Sequence, residues 1–194
     1  HRVLGSFRGY WDYDGGGLAD MGQHYLEGPQ AELNKDHTSP VEIEAHAPRP
    51  QHPDAVQLWG WVRMKYDDGT TLIFQSNEWD NDNQMGEGNG IRWPNGKPEL
   101  NDAQKAKLEA LPTEPKMVGR GENGFEEAVK LRYRCGGHPE AAHRSATLLH
   151  LANIAIRLGR KLKYDPVKEQ FIGDDEANRL VHVPYRAPWR LPTV

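Results

Sequence analysis

The stretch HRSATLLHLANIAIRLG, His143 to Gly159, constrains the fold more than any other part of this chain. Leu148, Leu149, Leu151, Ala152, Ile154, Ala155, Ile156 and Leu158 make a helical run that is apolar nearly all the way round. A helix with one apolar stripe can lie on a surface. One that is apolar on every side has to be buried between layers. Gly159 is the expected stop, because glycine readily takes the backbone turn that ends a helix.

One covering layer is predicted to be a sheet. Val41, Ile43 and Ala45 alternate with Glu42, Glu44 and His46, the pattern of a half-buried strand. Val56 to Tyr66 reads as a longer strand, with Trp59, Trp61 and Arg63 on one face and Leu58, Val62 and Met64 on the other. Asp67 to Thr70 (DDGT) is a turn signal and Thr71 to Ser76 the returning strand, so the region predicts a hairpin. The trio Trp59, Trp61 and Arg63 would then form a sheet face that meets another subunit or helix, or alternatively contacts a sugar.

Helices flank this middle. Leu18 to Asn34 carries Leu18, Met21, Tyr25 and Leu26 along one apolar face, and Pro29 either ends the helix or restarts it at a first helical position. Leu100 to Leu111 predicts a short helix capped by Asn101 or Asp102, and Phe125 to Tyr133 another, ended by Gly136-Gly137. RKLKYDP reads as a short strand or extended link, and Asp174 or Asp175 caps a last helix to about Val181. His1 to Gly17 is an aromatic, glycine-rich entry. Asn77 to Pro98 is a long surface loop with room for a short strand at Gly90 to Trp93. The order of helix, strands, then helices predicts an α+β fold: an open, mostly antiparallel sheet with helices on one face. A single domain over 1–194 is expected, with a long irregular loop at about 77–123 and an extended tail at about 182–194.

Composition narrows the partners. The chain carries 24 basic and 28 acidic residues, interspersed, for a net charge of −4; without a basic stripe, nucleic acid is not expected. No apolar run reaches the roughly 18 residues that a membrane helix needs. The single Cys135 excludes an intrachain disulfide and a cysteine-based zinc site, and reads as a small packed side chain. Mean hydropathy is −0.83, yet six Trp and seven Tyr argue against disorder. GRGENG at Gly119 to Gly124 lacks a preceding strand and is not read as a nucleotide loop. The chain opens on His1, so a processed or truncated piece is expected. The compartment stays open between the cytoplasm and export.

Chemistry is best sought in WDYDGGGLADMGQHYLEGP, Trp11 to Pro29. Asp20 and His24 lie at i and i+4, on one face of the expected helix. A carboxylate can orient a sugar hydroxyl or an imidazolium, and an imidazole can move a proton near neutral pH. The same spacing also suits a helix-start charge and a satisfied histidine. Gly15, Gly16 and Gly17 would let the backbone approach another domain or a ligand closely. Arg8, Tyr10 and Trp11 are candidates to line a sugar site, or else pack the entry loop. His143, at a helix start beside Arg144 and Ser145, is a further substrate-side candidate. His138, His143 and His150 lack the carboxylate–histidine spacing of a metal site, and no metal is expected.

GGGLADMGQHYLEGPQ, with its glycine run followed by D-x-G-x-H, resembles the signature of the second domain of Gfo/Idh/MocA oxidoreductases. His143 to Pro192 resembles the end of a bacterial branch of that family, so the resemblance covers most of the chain, while the loop Asp80 to Lys116 carries no motif that places it. The resemblance implies an open antiparallel sheet with helices on one side. It implies an N-terminal Rossmann domain that binds NAD or NADP and supplies a catalytic lysine. Substrates would be sugars, polyols or glycosides, changed at a secondary carbon. By the same resemblance Asp20 and His24 are the catalytic pair, with His24 the acid or base on the reacting hydroxyl. Arg8, Tyr10, Trp11 and His143 would be substrate-binding, and Gly15, Gly16 and Gly17 would face the cofactor. Glu27 stands where the family often has Asp. This chain alone is expected to bind no dinucleotide and to form a homo-oligomer through its sheet face. A non-catalytic carbohydrate-binding or oligomerisation module is the alternative.

Overall fold

The computed structural model describes residues 6–49, 52–76, 78–85, 102, 106, 124–132, 138–182 and 185–189. The chain divides into two compact units, one of residues 1–87 with 144–194 and one of residues 88–143.

The first unit is built on a five-stranded sheet. Its strands are β1 (Glu42–His46), β2 (Trp61–Lys65), β3 (Thr71–Gln75), β4 (Leu162–Asp165) and β5 (Gln170–Phe171), in the order β3-β2-β1-β4-β5. Every pairing is antiparallel. The register lines up Leu72, Met64, Ile43 and Leu162 across four strands, all nearly or fully buried. On the opposite face the same register gives Thr71, Lys65, Glu42 and Lys163. The period of two therefore sorts apolar from charged side chains onto opposite faces.

The hairpin turns as its residues predict. Gly69 sits at φ 87°, which glycine takes without steric cost, and Tyr66 N–H donates to Thr70 O at 2.8 Å. The strand before it is shorter than expected, and the difference lies at Gly60. The Gly60 N–H donates to His46 O and its carbonyl accepts from Ser76 N, both at 2.8 Å. A Cβ there would stand 3.3 Å from His46 Cδ2 and from two carbonyl oxygens. The bend at Gly60 breaks the alternation. Trp59 does not share a face with Trp61 and Arg63: it is buried and stacks on Phe74 at 5.2 Å.

Among the described residues, α1 (Gly16–Glu32), α3 (Pro139–Leu158) from Arg144 onward and α4 (Asp175–Arg179) belong with this sheet, and α2 (Gly124–Leu131) belongs to the second unit. Pro29 lies inside α1 and does not end it. The helix closes a turn later, where Leu33 N–H reaches Pro29 O at 2.9 Å. Leu18, Gly22, Leu26 and Gln30 are the buried row, an i, i+4 ridge. Met21 and Tyr25, expected on the apolar face, are 48% and 61% exposed. The ridge is narrow because Gly22 sits directly on α3: a Cβ there would be 2.7 Å from Leu149 Cδ2. Close approach at one glycine rolls the neighbouring apolar residues outward.

The end of α1 is tied to the hairpin turn by a polar cluster that runs from buried Gln30 and Tyr66 out to the surface at Asp68. Tyr66 donates to Gln30 Oε1, and Gln30 Nε2 donates to Lys35 O at 2.7 Å. Lys35 Nζ pairs with Asp68 at 2.6 Å; with the Thr70 N–H, it holds the Asp68 carboxyl down at about 2. Burial pushes the Tyr66 hydroxyl well above its ordinary value.

The buried helix is as the sequence demands. Leu148, Ala152 and Ala155 have no exposed surface and Ile156 has 1%. α3 begins four residues earlier than expected, with Pro139 in its first turn. Before it, His138 accepts from Ala142 N through its carbonyl and from Ala141 N through Nδ1. Gly159, at φ 63°, ends it. Asp174 caps α4 by accepting from Ala177 N at 3.0 Å, and the Arg160 guanidinium holds its carboxyl at about 2.

In the second unit, α2 buries Ala128, and Glu126 pairs with Lys130 one turn on. Asp102 and Ala106 are helical. The rest of the Leu100 to Leu111 helix, the Gly90 to Trp93 strand, Cys135, Gly136-Gly137 and Gly119 to Asn123 lie outside the described residues.

Candidate functional site

The entry segment is pinned before the glycines begin. Residues Phe7–Gly9 form a 3-10 turn, Tyr10 bridges Ala55, and Trp11 N–H donates to Asp54 O at 3.0 Å. Tyr10 and Trp11 are half-buried there, and the Arg157 guanidinium from α3 lies 5.2 Å from the Trp11 ring centre. Asp14 then accepts from Gly15 N at 2.6 Å and turns the chain into α1.

The three glycines have three different neighbours. A Cβ on Gly15 would stand 2.4 Å from Asn153 Nδ2. Gly16 has φ +72°, and a Cβ on it would meet Val56 Cγ1 at 2.6 Å. A Cβ on Gly17 would lie 3.4 Å from Glu78 Oε1, in ordinary contact. Gly15 and Gly16 therefore serve close packing inside this unit. Gly17 is the exposed member of the run.

Beyond them, Asp20 and His24 project from the outer face of α1, one turn apart and both exposed. They lie opposite the Leu18–Leu26 ridge. Arg8 Nε donates to Asp20 Oδ2 at 2.8 Å, with the two side chains 50% and 36% exposed. The guanidinium also covers the Phe7 ring at 4.7 Å. Among the described residues Arg8 is thus the group that holds Asp20, and no hydrogen bond joins Asp20 to His24. His143 is exposed on α3, in the second unit.

A second group of polar side chains escaped the sequence reading. His46 Nε2 and Asp80 Oδ2 are 2.6 Å apart, and Asn83 Nδ2 reaches both Asp80 oxygens at 2.9 and 3.0 Å. Trp61 stacks on the His46 ring at 5.3 Å and Trp79 lies against it at 4.8 Å. The hydrogen bond from His46 holds the Asp80 carboxyl below its ordinary value. Asp80 and Asn83 at i and i+3 were the local signal, but nothing near them in sequence points to His46.

The polar sheet face carries a shallow groove of about 290 Å³, lined by Glu42, Glu44, Arg63, Lys65, Thr71 and Lys161. Glu42 pairs with Lys161 at 2.7 Å, which holds the Glu42 carboxyl below its ordinary value, and Arg63 pairs with Glu44. Among the described residues no three His, Cys, Asp or Glu side chains gather closely enough to hold a metal ion. No helix among them is long and apolar enough to cross a membrane.

Comparison with known proteins gives one family. The family described as an oxidoreductase family, C-terminal alpha/beta domain, of the Gfo/Idh/MocA group, matches residues 1–191. No curated protein and no solved structure matches the chain. A match over nearly the whole length agrees with an open five-stranded antiparallel sheet with its apolar face turned to the helices, and the chain belongs to the Gfo/Idh/MocA oxidoreductase family as its C-terminal α/β domain.

Proposed function

We propose that this single substrate-binding domain is half of an NAD(P)-dependent dehydrogenase acting on a secondary CH–OH group of a sugar, polyol or glycoside. The other half would be an N-terminal dinucleotide-binding domain of the same protein. The observation that carries the reading is the outer face of α1. Asp20 and His24 stand there together, exposed, on a helix whose inner ridge is locked against α3. A proton-moving imidazole on a rigid, uncovered helix face suits a cleft that a second domain completes.

In this reading His24 takes the hydroxyl proton on oxidation, or returns it on reduction. Asp20, held by Arg8, contributes fixed charge beside it, and Arg8 keeps its terminal nitrogens for substrate oxygens. Tyr10 and Trp11 form the pinned wall before the helix, on the substrate side. The nicotinamide, when bound, supplies the hydride donor or acceptor. Of the glycine run, Gly17 is the member exposed toward such a partner, while Gly15 and Gly16 hold the approach in place. A second copy of the chain would cover the polar sheet face, where Ile73 is 41% exposed among charged neighbours.

The test uses the full-length protein with NAD⁺ or NADP⁺ and neutral sugars, followed by nicotinamide absorbance. His24→Ala should slow hydride transfer by about two to four orders of magnitude. An unchanged rate removes His24 from the mechanism. A full-length protein that binds sugar but reduces neither nucleotide supports the carbohydrate-binding module instead.

A further inference from the structure

The segment after β3 brings a third polar group to the face of α1 that carries Asp20 and His24. Glu78 Oε1 lies 3.4 Å from the Cβ position of Gly17. Positions 17, 20 and 24 follow one another along one side of a helix. The Glu78 carboxylate, the Arg8–Asp20 pair and the His24 imidazole therefore stand in that order along the exposed face.

Glu78 is tied to Ser76 before it and followed by a held Asp80. Its own N–H donates to Ser76 Oγ at 2.9 Å, and Ser76 is buried, with its N–H on Gly60 O. Two residues further on, Asp80 is held by His46 and Asn83, and Trp79 lies against the His46 ring. Asp80 takes φ 53°, which costs a non-glycine residue free energy that these contacts offset. Yet the Glu78 side chain is exposed, and its carboxylate has no hydrogen-bond partner among the described residues. A held backbone with an uncommitted carboxylate is the arrangement of a group kept for a ligand.

We propose that Glu78 is a substrate-binding carboxylate of this site, and that it accepts hydroxyl hydrogens of a vicinal diol next to the reacting carbon. The proposal rests on the dehydrogenase reading above and narrows its substrate class. A carboxylate has two oxygens and only accepts, so it matches two adjacent hydroxyl donors. Arg8 supplies donors beside Asp20. With Glu78 and Asp20 both acidic, the site selects a neutral polyhydroxylated ring over a sugar acid.

The experiment measures steady-state kinetics of the full-length protein with D-glucose, D-galactose and myo-inositol as probes. Glu78→Gln should raise KM by roughly ten- to hundredfold, the loss of a hydrogen bond to a charged acceptor. It should leave kcat within about threefold and the thermal midpoint unchanged. Glu78→Asp, which keeps the charge but withdraws it, should show an intermediate KM. If Glu78 is merely a favourable charge at the start of α1, Glu78→Gln lowers the midpoint, KM stays within about twofold and Glu78→Asp matches wild type; that result overturns the proposal. A fall in kcat at constant KM overturns it as well. If wild-type protein oxidises none of the three probes with either nucleotide, the dehydrogenase reading fails first and this inference goes with it.

Discussion

α1 and α3 are helices of similar length, 17 and 20 residues, with opposite habits. Between Leu148 and Ile156, α3 exposes only His150. α1 buries one i, i+4 row and exposes Asp20, Met21, His24 and Tyr25. They also meet directly, Gly22 against Leu149. Over that span the inner helix has almost no surface left for chemistry, and the outer one gains rigidity from it while keeping a free face. Substitutions should therefore separate: those on α3 and the inner ridge change stability, those on the outer face change rate.

The largest effects test that separation. His24→Ala should cost rate in the full-length protein, as above, with no change in thermal midpoint, because an exposed side chain takes no packing with it. Leu148→Ala should do the reverse. It opens a cavity in the fully buried core and should cost about 2–5 kcal/mol of unfolding free energy, read by denaturant titration. If Leu148→Ala costs less than about 1 kcal/mol, α3 is not the packed centre that the comparison makes it.

A smaller effect is expected where the two helices' surroundings meet the glycine run. Gly16→Ala forces a side chain into the left-handed region and against Val56, and should cost about 2 kcal/mol. Gly17→Ala, in ordinary contact and on the exposed side, should change stability little. Equal losses at both positions would erase the difference between the inner and outer ends of the run.

The ends of the helices sharpen the comparison further. α1 starts without a side-chain cap, whereas α4 starts on Asp174. Asp174→Ala should lower the thermal midpoint by less than Gly16→Ala does. Asp68 and Asp174 have carboxyls held at about 2 by Lys35 and Arg160. Their folded values lie below the unfolded ones, so their contribution is present above about pH 4 and lost as pH falls toward 2. The midpoint should drop across that window in wild type, and less steeply in Arg160→Met.

Much of this was open to reading before any fold was known, and the pattern of successes is physical. The buried run of α3, its Gly159 stop, the DDGT hairpin and the Asp174 cap depend on residues within one or two turns of each other. Asp20 and His24 share a face for the same reason. The failures in which way side chains face involve closure over longer separations. Trp59 turned inward because Gly60 packs against His46 and Trp79. Met21 and Tyr25 turned outward because Gly22 seats on Leu149. Arg8 reached Asp20, His46 reached Asp80 and Glu78 reached Gly17 across 12, 34 and 61 positions respectively.

Local periodicity and turn chemistry by themselves determined the long helices and the hairpin, and that one helix had to be buried. Such preferences act between neighbours along the chain, so the amino-acid order carries them directly. Which side chains face each other over the outer surface of α1 was decided only when the sheet, α3 and the segment after β3 were packed together. Those partners are chosen by the shape left at a few glycines, and shape of that kind exists only in the assembled fold.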